Sequence, residues 1–292
     1  MRLKKNWDFS HKPIRDPENV QRFVKLIADT HSKSHLIRHR FHARLEIDRL
    51  EEVGRLKQYM KEKKVHLISF MDHTPGQGQY ADLKIYRDTI KSYNHHLSNE
   101  DIDQMIVKHK NKKRLGIVDL QEIAVEASRH HIAIASHDDD SIEKLEMNAR
   151  IGVNISEFPT RLNIAQEAKK KGFFTLAGAP NILLGGSHSG NLSAAEAIQH
   201  DAIDILCSDY YPPSLLHAIF FMHKNYGTNL VDMMNMLTIN PARAVKMGHE
   251  LGSLSEGKKA DLLVIEMIDD AFPVITTVMV DGDPVMRMNY RE

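Results

Sequence analysis

The sequence predicts an α/β fold: a TIM-like (β/α) barrel that lacks its first strands, followed by a small C-terminal β appendage. Three observations predict it. Short apolar runs of strand length alternate with longer stretches of helical periodicity, the pattern of parallel βα units. The last forty or so residues lose that alternation and read as β-runs around a tight turn. The chain has 292 residues, 42% of them hydrophobic, enough for the core of one such barrel.

The elements follow in order. A helix spans residues 17–32, ahead of the first visible strand at 41–47. A charged helix at 48–63 leads to a second strand at 65–71. A long polar, helix-rich stretch occupies 81–113, and another helix 117–130. The next strand, 132–136, precedes a helix at 141–150, a strand at 152–157 and a helix at 161–171. A strand at 173–177 is followed by a helix opening near Asn191, a strand at 203–208, and helices at 213–226 and 230–247. That makes six barrel strands, whereas a closed barrel of this kind needs eight, so the shortage lies at the N-terminal side. The tail reads as a Gly-rich turn and strand over 252–264, then β-runs at 274–280 and 284–288 around Asp281-Gly282-Asp283. Two domains are expected: an incomplete barrel over 1–250 and a β segment over 251–292.

Composition excludes several classes. Lys+Arg and Asp+Glu both number 39, so no global field favours nucleic acid and no acidic excess favours disorder. The single cysteine, Cys207, forms no intrachain disulfide, suits a reducing compartment and reads as a packed strand residue. Residues 1–16 lack the apolar core of a signal peptide, and no apolar run approaches the ~20 residues needed to cross a bilayer. A cytoplasmic protein with no nucleic-acid or membrane partner is expected. The 18 histidines are numerous, but His95, His96, His109, His130 and His131 lie in polar helical sequence and are expected at the surface.

In (β/α) barrels chemistry gathers at the C-terminal ends of strands. Here the strand ends carry Glu46, then His73, then His137-Asp138-Asp139-Asp140, then Glu157, then Asn181, then Asp209. Imidazoles and carboxylates in such positions suit Zn²⁺, Mn²⁺ or Fe²⁺. A bound divalent metal lowers the pKa of its water, and a carboxylate can take the proton. Each residue also has a structural alternative. His73 can cap the turn before Pro75, and Glu46 can pair with Arg44. Asp138, Asp140 and Asp209 can cap the helices that follow them. Capping is the expected role of Asp138 and Asp140, although three consecutive aspartates exceed what a cap needs.

Residues 181–191 form a Gly/Ser-rich turn feeding a helix. Exposed backbone N–H groups and hydroxyls there suit an anion, so Asn181, Gly186, Ser187, His188, Ser189 and Asn191 are candidate phosphate contacts. Arg44, together with Arg38 and Arg40, can add bidentate contacts to phosphate. A phosphorylated small molecule is the implied substrate.

These strings together resemble the PhnM family of phosphonate metabolism, within the amidohydrolase superfamily. The pieces are residues 39–46, Ser69 to Gln77 with Asp72-His73-Thr74-Pro75-Gly76, Ser136-His137-Asp138-Asp139, Ser156-Glu157-Phe158-Pro159, Gly185-Gly186-Ser187-His188-Ser189-Gly190-Asn191, and Ser208-Asp209-Tyr210-Tyr211-Pro212. The match runs from about Asp16 to the C-terminus, and Asn240-Pro241-Ala242 fits the superfamily's closing segment. The resemblance implies metal-dependent hydrolysis of α-D-ribose 1-methylphosphonate 5-triphosphate to the 5-phosphate and pyrophosphate, in the C–P lyase pathway. It implies His137 and Asp209 as metal ligands, His73 and Glu46 as their partners, and Asp209 as the catalytic carboxylate. Glu157 stands where many superfamily members carry His. The superfamily's His-x-His motif is absent from this sequence. Two alternatives remain: a shortened chain that is an inactive remnant or an interaction subunit, and an amidohydrolase acting on a cyclic amide or amine. Self-association, or association with other phosphonate-pathway proteins, is compatible with either activity.

Overall fold

The structure is a computed structural model that describes residues 13, 16–31, 33, 36–186, 191–269 and 272–290. Two compact units divide at Phe173/Phe174, with the described residues 36–38 belonging to the second. The division falls within the run of βα units.

The first unit opens with α1 (Pro17–His31). It continues with β1 (His42–Glu46), a 3₁₀ turn and α2 (Val53–Lys61), then β2 (Leu67–Met71). Between β2 and β3 lie a 3₁₀ turn and the helices α3 (Leu83–Tyr93), α4 (Asn99–Lys110) and α5 (Ile117–Arg129). β3 (Ala133–His137), α6 (Ile142–Arg150), β4 (Ile155–Glu157) and α7 (Leu162–Lys170) complete it. The long polar, helix-rich stretch at 81–113 is thus two helices. Asn94 ends α3, and Ser98 starts α4 with a capping box to Asp101.

β1 to β4 are parallel neighbours in sequence order. Register places Arg44 beside Ser69, Ser69 beside Ala135, and Ala135 beside Ile155. Because side chains alternate along a strand, these residues share one face, with His42, Glu46, His137 and Glu157. The other face carries Ala43, Leu45, Ile68, Phe70 and Ile134. These pack into one buried cluster with Leu56 and Met60 of α2, Leu120 and Ile123 of α5, Leu145 of α6 and Ile164 of α7. All five residues of β3 are buried, the condition of a parallel strand covered on both sides.

The second unit holds the parallel pair β5 (Phe174–Gly178) and β6 (Ile205–Cys207), with the short helices α8 (Ala179–Leu183) and α9 (Ala194–Gln199) between them. α10 (Ser214–Tyr226), α11 (Leu230–Asn235) and α12 (Ile239–Ala244) follow. The helix expected over 230–247 is broken because Pro241 has no N–H to donate and its ring crowds the carbonyl of Leu237. The tail forms an antiparallel meander, β7 (Leu262–Ile268), β8 (Phe272–Val280) and β9 (Asp283–Arg287). The expected β appendage is therefore present, with its turn at Asp281-Gly282. Arg38 lies against the carboxylates of Asp261 and Asp281.

Candidate metal centre

The first unit gathers three chemically related side chains at the C-terminal ends of β2 and β3. His73, His137 and Asp138 each present a ligand atom, and those atoms lie within 4.8 Å of one another. All three residues are buried. His73 is two residues past the end of β2, and His137 is the last residue of β3.

Each side chain is held from behind. His73 Nδ1 donates to Glu46 Oε2 at 2.9 Å, which leaves Nε2 as the nitrogen with a lone pair, 3.9 Å from Asp138 Oδ2. A carboxylate that fixes the far nitrogen of an imidazole is the usual partner of a metal-ligating histidine. Glu46 therefore stands behind His73, and it is outside the three-atom cluster. The ring of Tyr80 flanks His73 at a centroid distance of 6.1 Å.

His137 Nδ1 is 2.8 Å from Asp138 Oδ2, yet the two are out of line for a hydrogen bond, and this buried nitrogen has no hydrogen-bond partner among the described residues. Its other nitrogen, Nε2, receives a hydrogen bond from Arg44 Nη2 at 2.8 Å. A guanidinium has only donors, so Nε2 is the accepting nitrogen. The ring's proton is then on Nδ1, the nitrogen nearer Asp138 Oδ2. A divalent cation bound through that nitrogen would displace its proton. Two imidazoles and a carboxylate, all buried, with one orphaned ring nitrogen, fit a divalent metal.

Asp138 corrects an expectation. The sequence placed it as a helix cap, but Ser141 caps α6, its hydroxyl accepting from Lys144 N. Asp138 has a left-handed backbone, φ 53°, and its N–H donates to Glu157 O at 2.9 Å. That turn swings its carboxylate towards the two histidines. Burial works to raise its pKa, but His137, His73 and Lys144 together outweigh burial and hold the carboxyl below the usual carboxylate range. Asp140, the other expected cap, accepts from Gly78 N at 2.7 Å and so ties the β3 end to the loop after β2.

The same sheet face carries a second polar group. Ser69 Oγ donates to Glu157 Oε2 at 2.8 Å, and His42 Nε2 lies 2.5 Å from Ser69 Oγ. Between Ser69 and the β4 residues the register places Ala135, small enough to let that bond cross β3. Burial pushes the Glu157 carboxyl up, against the pull of His137, Ser69 and Arg44.

The remaining expected site residues are distributed differently. Asp209 belongs to the second unit, is exposed, and sits in the turn after β6 with φ 48°. It does not cap α10, which begins after Pro213. Asn181 spends its side chain on its own loop: Oδ1 accepts from Ala194 N at 2.8 Å and Nδ2 donates to Leu192 O at 3.2 Å. Gly186 donates its N–H to Asn181 O at 3.0 Å, and Asn191 is half-buried. Ser187, His188 and Ser189 lie outside the described residues. Of the histidines expected at the surface, His95, His96 and His131 are exposed, but His109 is half-buried between Tyr86 and Asp48 and His130 is half-buried beside Glu126. Cys207 is half-buried and in no disulfide.

The profile of the amidohydrolase family matches residues 41–285. The chain belongs to the amidohydrolase family. Among curated relatives, the alpha-D-ribose 1-methylphosphonate 5-triphosphate diphosphatase of Escherichia coli strain K12 is 33% identical over 262 residues, covering 87% of this chain and 68% of that protein. An adenine deaminase of Clostridium botulinum is 32% identical over 103 residues, 32% of this chain and 17% of that protein. Among solved structures, the ochratoxinase of A. niger aligns with a TM-score of 0.54 at 17% identity. A prolidase solved with N-methylphosphonate-L-proline aligns with a TM-score of 0.51 at 16% identity. The chain spans 55% and 59% of those two structures. The fold is thus the TIM-like barrel of an amidohydrolase in part, with six parallel strands and a small antiparallel sheet. No helix among the described residues is long and apolar enough to cross a membrane.

Proposed function

We propose that this chain is a divalent-metal hydrolase that cleaves a phosphorus anhydride. Its substrate in this reading is α-D-ribose 1-methylphosphonate 5-triphosphate, its products the 5-phosphate and pyrophosphate. The observation that carries the reading is the buried His73–His137–Asp138 cluster, backed by Glu46, in a chain 33% identical to a diphosphatase of that name. Net chemistry adds one water across a P–O bond of the anhydride bridge between the first and second phosphorus atoms. One phosphorus keeps the water's oxygen and the other leaves with the bridging oxygen.

A divalent ion (Zn²⁺, Mn²⁺ or Fe²⁺) in this cluster supplies an acidified water and neutralises charge on phosphoryl oxygens. The chain's own residues do the rest. Glu46 fixes the tautomer of His73. Arg44 puts a guanidinium at the His137 ring, where it can meet an anionic oxygen. Asp209, at the end of β6, is the candidate proton acceptor, and the 181–191 loop with Gly186, Ser187, His188, Ser189 and Asn191 is the candidate phosphate cradle. The reading carries with it a cytoplasmic setting and a soluble phosphorylated substrate.

Pyrophosphate release from the triphosphate by the purified chain with Mn²⁺ or Zn²⁺ tests this reading. The expected result is turnover that falls on chelation and falls again in Asp209→Asn. Metal binding without pyrophosphate release, accompanied by ammonia release from adenine, would favour the deaminase-like alternative suggested by the shorter match. A chain that binds metal and turns over neither substrate supports the interaction-subunit alternative.

A further inference from the structure

Asp139 lies outside the three-residue cluster, yet both its carboxylate oxygens and its carbonyl are hydrogen-bonded. It is fully buried, on the opposite side of the β3 end from His137. Its Oδ2 accepts from Ser136 Oγ at 2.5 Å and from Ser156 Oγ at 2.5 Å. Its Oδ1 accepts from Asn148 Nδ2 at 3.0 Å, with Lys144 Nζ 3.7 Å away. Its carbonyl accepts from Thr160 N at 2.9 Å and Thr160 Oγ1 at 3.2 Å. One residue thereby joins β3, β4, α6 and the loop after β4. Lys144 adds to the same knot, donating to His137 O at 2.9 Å and Asp138 O at 3.0 Å.

The two residues so enclosed are the adjacent candidate ligands. Asp138 holds a left-handed backbone, a conformation that aspartate tolerates better than most non-glycine residues but that still needs its neighbours to keep it in one place. We infer that Asp139 is a positioning residue that sets metal affinity by holding the His137–Asp138 turn in its ligand-presenting shape. The inference rests on the metal reading of the cluster. The three consecutive aspartates then have separate roles. Asp138 faces the cluster, Asp139 anchors it from the helix side, and Asp140 ties it to Gly78. An asparagine at 139 cannot reproduce the anchor unaided. Its amide either faces the two serine hydroxyls as a donor or meets the donating amide of Asn148.

The experiment titrates Mn²⁺ and Zn²⁺ into the metal-stripped full chain against a chromophoric chelator, and records the visible spectrum of the Co²⁺ form. Variants are Asp139→Asn, the milder Ser156→Ala, and Asn154→Ala as control. Asn154 bonds to Ile134 N at the other end of the same two strands. Asp139→Asn is expected to weaken binding by about 10–100-fold, as loss of an outer partner does at metal sites, and to alter the Co²⁺ bands. Ser156→Ala is expected to move both in the same direction by less, and carries the test if Asp139→Asn does not fold. Asn154→Ala is expected to lower thermal stability and leave affinity and spectrum as in the wild type. Wild-type affinity and spectrum in both Asp139→Asn and Ser156→Ala, or an equal loss in Asn154→Ala, overturns the inference. A wild-type chain that binds neither ion instead removes the metal reading itself.

Discussion

The two faces of the β1–β4 sheet differ in nearly every physical respect. On the helix side stand Ala43, Leu45, Ile68, Phe70 and Ile134, packed against four helices with almost no exposure. On the opposite side, in the same strands and the same register, stand His42, Arg44, Glu46, Ser69, His137 and Glu157. A barrel interior built for stability is filled by branched apolar residues. Polar groups there cost desolvation free energy unless they are paired, and here they are bonded to one another. One face therefore holds the fold together, while the other presents the groups from which a site can be made. Changes on one face should move stability, and changes on the other should move metal binding.

The largest expected separation comes from the cluster itself. His73→Ala or Asp138→Ala should cut turnover on the order of 10³-fold, since metal stabilisation of a phosphoryl transition state is worth several kcal/mol and each 1.36 kcal/mol is a decade. Steady-state kinetics with bound-metal analysis checks this. A variant with full metal content and full rate would break the comparison. On the helix face, Leu45→Ala should lose about 2–5 kcal/mol of stability in denaturant unfolding, as buried Leu truncations do. Metal affinity of the folded fraction should stay within twofold, and a parallel loss of affinity would show that the two faces are not separable.

Glu46→Gln sharpens the contrast, because it changes a carboxylate that sits behind a ligand. It should weaken metal binding by about 10–100-fold, with the Co²⁺ spectrum showing whether His73 has turned. The smallest effect lies away from both faces, at Asp48. Burial alone would raise its pKa, but His109, 3.6 Å away, and a hydrogen bond from Lys112 outweigh burial and hold the carboxyl far below its ordinary value. A depressed folded-state pKa stabilises the fold above the unfolded value of 3.8, and that contribution is lost as pH falls below it. Asp48→Asn should therefore cost about 1–2 kcal/mol at neutral pH. The gap from wild type should narrow below about pH 4 in unfolding curves taken across that range.

The sequence carried much of this fold because alternating apolar runs and helical periods are one-dimensional signals. All six βα strands and the antiparallel tail were legible in that way, though the strands at 152–157 and 203–208 are shorter in the structure, as β4 and β6. His73 and His137 stood out because each closes an apolar run. Asp138 did not, because its role depends on a backbone turn that no residue pattern announces, and because aspartate before a helix reads first as a cap. Ser141, three residues before Lys144 and immediately before the helix, was the signal that the cap was already supplied. Ser69, buried mid-strand, and Glu157, at a strand end, show their connection only through register across Ala135. Asn181 misled in the opposite direction, since a polar residue beside a Gly-rich loop can as readily close the loop as bind a ligand.

On this account the inner face of the sheet holds a divalent metal through His73, His137 and Asp138. Isothermal titration of Mn²⁺ and Zn²⁺ into the metal-stripped chain, beside His73→Ala and Asp138→Ala, tests it most directly. The expected result is saturable binding in the wild type with proton release, and loss of that binding in both variants while the far-UV circular dichroism is retained. Equal binding in wild type and variants, or none in a folded wild type, would contradict it.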